Sequence, residues 1–73
     1  MNDLINGKIA LNTREACVCL GINRTQLDAY RKKGLIKAIK TGRYYIYPVS
    51  ELKTFIERNT GKQITKEGIV VNP

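Results

Sequence analysis

Gly21-Ile-Asn-Arg-Thr-Gln-Leu-Asp-Ala-Tyr-Arg-Lys-Lys-Gly34 is the stretch that decides how this chain folds. Gly21 suits a left-handed turn, and Asn23 is a good helix cap. A helix over 24–33 follows and stops at Gly34, directly after the cations Arg31, Lys32 and Lys33. Leu27 and Tyr30, three apart, predict a core face, with Ile22 packing near the cap. A short basic helix entered through a tight turn from an earlier helix can present side chains to a nucleic-acid groove. The cationic run has a plainer use as well, since it suits the negative end of the helix dipole.

Upstream, Asn12-Thr13-Arg14-Glu15 reads as a capping box, with the carboxylate three residues beyond the cap. The helix it opens runs through Ala16, Cys17, Val18, Cys19 and Leu20 to Gly21. It is barely two turns long and needs tertiary packing to persist. A short strand is expected at 9–11. Asn6-Gly7 lies between short apolar runs and signals a hairpin turn, or else residues 1–8 form a loosely ordered arm.

Downstream the period changes. Residues 35–40 and 43–47 are β-branched and aromatic around Thr41-Gly42, which predicts a hairpin with a basic tip. Tyr44, Tyr45 and Tyr47 alternate, so two share one face and the third lies on the other. Such rings beside Lys40 and Arg43 can stack on exposed bases, or wedge against the core. Pro48 opens a third helix over 49–58, where Leu52, Phe55 and Ile56 form an apolar stripe, and Asn59-Thr60-Gly61 closes it. Residues 59–73 form a tail whose Ile64 and Ile69-Val70-Val71 suit an edge strand, a partner's surface or a disordered end.

Seventy-three residues make one small domain, able to bury only about 60% of its unfolded surface. The net charge is +7, and it is unevenly spread. Residues 12–47 carry Arg14, Arg24, Arg31, Lys32, Lys33, Lys37, Lys40 and Arg43 against only Glu15 and Asp28. That clustering is the footprint of a polyanion binder rather than a surface charged for solubility. There is no histidine, and Cys17 and Cys19 point to different helix faces, so neither a zinc site nor a disulfide is expected. No nucleophile stands beside a base and no glycine loop cradles phosphate, so the expectation is a non-enzyme without cofactors. Reduced cysteines, the lack of a signal peptide at residues 1–5 and the lack of a membrane-length apolar run point to the cytoplasm.

At the level of residues the chain resembles the small excisionase-like, MerR-type winged helix-turn-helix family of bacterial DNA-binding proteins. The resemblance is carried by Asn12-Thr-Arg-Glu-Ala16, Leu20-Gly-Ile-Asn-Arg-Thr25, Lys33-Gly-Leu-Ile36, Lys40-Thr-Gly-Arg43 and Ser50-Glu-Leu52 with Phe55-Ile56. It implies a mainly α fold with a small β-hairpin, three short helices plus a wing, over residues 9–58. It also implies a second helix in the major groove, presenting Arg24, Thr25, Asp28, Ala29 and Lys32, and a wing on the backbone or in the minor groove. Arg24 and Thr25 would then meet base edges, Lys32, Lys33, Lys40 and Arg43 would contact phosphates, and Thr41 and Tyr44 of the hairpin would belong to the DNA-binding set. Thr13 and Arg14 would meet a phosphate at the start of the first helix. The family often has long polar or basic residues where this chain has Asp28 and Ala29. A carboxylate there either accepts from cytosine or, the favoured reading, pairs internally with Arg24 or Lys32, four residues away.

These features imply a recombination directionality factor or transcriptional regulator of a mobile element, binding duplex DNA. The alternative is an adaptor subunit of a larger replication or recombination enzyme, such as a primase, polymerase or helicase, with weak or single-stranded DNA binding.

Overall fold

Two reciprocal capping boxes set the first half of the chain. Asn12 Oδ1 accepts from the Glu15 N–H at 2.7 Å, and Glu15 Oε1 accepts from the Asn12 N–H at 3.1 Å. Asn23 and Gln26 repeat the exchange at 2.8 and 3.1 Å. These caps start helices α1 (Thr13–Leu20) and α2 (Arg24–Lys32). Between them Gly21 takes φ 71°, and the Ile22 N–H donates to the Cys17 carbonyl at 3.1 Å. The structure, a computed structural model, describes residues 8–65 and 69–72. The hairpin signal at Asn6-Gly7 lies outside them.

Leu35 and Ile36 do not join a strand as the apolar pattern suggests. Gly34 takes φ 79°, and the Leu35 N–H then donates to the Tyr30 carbonyl at 2.9 Å. This folds the segment back beneath α2 and buries Ile36. The hairpin is therefore shorter and later in its first arm than expected. It consists of β2 (Ile39–Thr41) and β3 (Tyr44–Pro48), paired antiparallel with Lys40 opposite Tyr45.

The other edge of β3 takes β1 (Ala10–Leu11), with Leu11 opposite Tyr47, giving a three-stranded sheet in the order β1-β3-β2. Ile9 stays outside the strand and is exposed. Helix α3 (Val49–Asn59) follows β3 directly, and the Val49 N–H donates to the Ile9 carbonyl at 2.8 Å. A separate two-stranded ladder, β4 (Gln63–Ile64) and β5 (Val70–Val71), ends the described chain.

The core is Leu11, Ala16, Leu27, Ile36, Tyr47, Leu52 and Phe55. It draws on β1, all three helices, β3 and the turn after α2, so no element from β1 to α3 other than β2 can leave without opening it. Tyr30 stacks on Phe55 with ring centres 5.6 Å apart, tying α2 to α3. Ile64 packs on the core's edge and draws β4 toward the helices. Ile56, expected in the apolar stripe of α3, is about half exposed instead. Among the described residues no helix is long and apolar enough to cross a membrane.

Candidate nucleic-acid interface

With Leu27 buried and Tyr30 against Phe55, α2 is anchored along one side and its opposite ridge faces out. Thr25, Lys32 and Lys33 are exposed there, and Ala29 is half-buried. A depression lies on each side of that ridge. One is a groove of about 590 Å³ into which Arg24 of α2 opens, together with Thr13, Arg14 and Cys17 of α1. Its far wall is β3, through Tyr44, Tyr45 and Ile46. The other, of about 360 Å³, separates Thr25, Gln26, Ala29 and Tyr30 from Ile64 and Thr65 at the C-terminal ladder.

Of the residues singled out from sequence, Arg14, Arg24 and Tyr44 come together in the first groove. Thr25 faces the second. Lys32 and Lys33 stand exposed at the end of α2, and Lys40, Thr41 and Arg43 at the tip of the β2–β3 hairpin. None of these five lines either groove. Tyr44 is 72% exposed, whereas Tyr47 on the other face of the strand is wholly buried. Cys17 and Ile46 belong to the groove without having been selected from sequence, and Tyr45, one of the rings weighed there for stacking on bases, joins them. Their only sequence signal was the alternation along 44–47 and the helical spacing of Cys17 from the cap.

Asp28 does not stand free on the ridge. Its carboxylate meets Arg24 Nε at 3.7 Å and an Arg31 guanidinium nitrogen at 3.5 Å. Arg24 is one of the two partners expected four residues away. Lys32, the other, makes no such pair, and Arg31 at three residues takes its place. Arg31 also lies flat over Tyr45, its guanidinium carbon 3.9 Å from the ring centre. It is thereby withdrawn from the basic run, with only 17% of its side chain exposed.

Burial works against charge on Arg31, but Tyr47, Tyr45 and Asp28 outweigh it and hold the guanidinium more firmly protonated than usual. Burial pushes the Tyr47 hydroxyl up, opposed by the nearby Arg31. The two groups are close enough to influence each other, yet among the described residues Arg31 Nε and Tyr47 Oη have no hydrogen bond of normal geometry. Burial also raises the Cys17 thiol, and Asp28 adds to the effect. At the start of α1, the Lys8 ammonium bonds the Glu15 carboxylate and, with the Asn12 N–H, lowers its pKa. Among the described residues no group of three potential ligands gathers to hold a metal ion.

The site is thus an exposed helix ridge with cations at both ends, a basic hairpin tip, and between them an apolar groove edged by two arginines. Such an arrangement can hold a phosphate backbone and contact bases. Residues 10–60 match the family model described as a helix-turn-helix domain. No curated protein and no solved structure matches the chain.

Proposed function

The chain belongs to the helix-turn-helix domain family, and from that premise we propose that it binds duplex DNA, with α2 in the major groove and the β2–β3 hairpin as a wing. A helix-turn-helix domain supports DNA as the partner. The observation that carries the finer reading is the meeting of Arg14, Arg24 and Tyr44, from three different elements, in one groove beside the exposed ridge of α2. Thr25 stands at the start of α2, the end that meets base edges when such a helix enters the groove, while Arg24 beside it opens into the neighbouring groove and suits phosphate. Lys32, Lys33, Lys40, Thr41 and Arg43 are solvent-facing donors suited to phosphate.

Asp28 takes no part in base reading on this account, because two arginines already neutralise it. Base readout by α2 is then confined to its first turn, and the backbone term dominates affinity. A protein of this kind suits an architectural task, such as a recombination directionality factor, or a small transcriptional regulator of a bacterial mobile element. The residues shared with excisionase-like and MerR-type domains support that assignment.

The test is retention of short duplexes measured by fluorescence anisotropy at two salt concentrations. Binding is expected to weaken steeply with salt, with a slope of about 0.9 per phosphate neutralised. Arg24→Ala is expected to weaken it without loss of the fold. Absence of retention at low salt sinks the proposal and favours the adaptor role instead.

A further inference from the structure

We propose that the groove between α1, α2 and β3 receives one unpaired nucleotide of the bound DNA, its base against Tyr44 and Ile46 and its phosphate between Arg14 and Arg24. This rests on the DNA-binding reading above and adds to it a place for an unstacked base.

The first ground is composition. Tyr44 is 72% exposed and lies outside the hydrophobic core, yet it shares the wall of a 590 Å³ groove with Ile46. An apolar wall of this kind gains by covering a flat, weakly hydrated surface, and a nucleobase is such a surface. The cations at the edge arrive from two different helices, Arg14 from α1 and Arg24 from α2. Apolar wall and cationic edge together match a ligand that is part aromatic and part anionic. A base stacked within an intact duplex has both faces covered and cannot reach the wall, so the occupant is unpaired or extruded.

The second ground is how the arginines are held. Arg24 has 81% of its side chain exposed and touches Asp28 only at 3.7 Å, so leaving that partner costs little. Its departure does not strand the carboxylate, because Arg31 remains 3.5 Å away. Arg31 is in turn fixed over Tyr45. The groove therefore has one cation free to turn toward a phosphate, while Tyr45 in its wall is held in place by Arg31. An intact backbone crossing the groove would use the same two arginines but not the Tyr44 ring, and this difference is what the experiment separates.

Affinity is measured by fluorescence anisotropy for a short duplex and for the same duplex carrying one unpaired thymidine. The native chain is expected to prefer the second by about tenfold, the scale of one base–aromatic stack. Tyr44→Ala should bring the ratio close to one, and Tyr44→Phe should keep it. Circular dichroism checks that both variants fold. Equal affinity of the native chain for the two duplexes overturns the base site and leaves the DNA-binding reading in place. A preference that survives Tyr44→Ala also overturns it, since the unpaired site is then favoured for its ease of bending. Failure to retain either duplex removes both readings.

Discussion

The guanidinium of Arg31 lies 3.9 Å over the ring of Tyr45, which turns one cation of the α2 basic run into part of the packing between helix and sheet. Arg31 and Arg24 therefore have opposite roles although both touch Asp28. Arg31→Ala is expected to destabilise the fold by about 1–2 kcal/mol, and Arg31→Lys should recover little because an ammonium cannot stack flat. Arg24→Ala should change stability by less than about 0.5 kcal/mol, as expected of an exposed pair. Urea unfolding of the two alanine variants gives the comparison. Similar losses in both would contradict the assignment.

Tyr47 is wholly buried, and among the described residues its hydroxyl has no hydrogen-bond partner of normal geometry. Removing an unsatisfied polar atom while keeping the ring should be neutral or stabilising, by up to about 1 kcal/mol. Thermal unfolding of Tyr47→Phe tests this. A marked loss would mean that the hydroxyl and Arg31 support each other after all.

Glu15 has its pKa lowered by the Lys8 ammonium and then by the Asn12 N–H. A carboxylate depressed in the folded state contributes stability above its unfolded pKa, and that contribution disappears as pH falls through the folded value. Acidification should thus loosen the start of α1. Glu15→Gln should flatten this part of the acid limb in a series of melting curves, because a neutral amide can still fill both halves of the capping box, as Gln26 does for Asn23. An unchanged acid limb would show that Lys8 and Glu15 are uncoupled in solution.

Lys40 and Arg43 stand at the hairpin tip, away from both grooves. If they touch phosphates, each alanine variant should reduce the slope of log affinity against log salt by about one. The effect should be similar on unrelated duplex sequences, because phosphate contacts carry no sequence information. A slope identical to the native one would remove the tip from the interface.

Helix starts were the most legible feature of the sequence. Asn12 with Glu15 announces α1 because both halves of its capping box sit within four residues. Asn23 announces α2, although its reciprocal partner Gln26 emerges only from the structure. Leu35 and Ile36 misled because apolar residues pack equally well in a buried turn, and the Tyr30 carbonyl decided the matter. The spacing rule put Arg24 beside Asp28 correctly. It missed Arg31, whose direction is set by Tyr45, a residue of a different element. The groove was the least legible, since Arg14, Arg24 and Tyr44 meet only once β3 has been fitted between β1 and β2.

The Gly21 joint carries a consequence for the order of assembly. Its closing bonds, Ile22 to Cys17 and Gly21 to Val18, link near neighbours, so α1 and α2 can find their mutual angle from contacts local in sequence. The pairing of Leu11 with Tyr47 must instead close a loop across most of the unit. The helix pair is thus expected to form first and the β1–β3 ladder last, an order that site-by-site kinetic measurements on variants at Ala16 and Leu11 can check. On that order α2 acquires its orientation before any wall stands opposite Arg24, and the groove is the youngest part of the molecule during folding and the earliest to vanish when it opens.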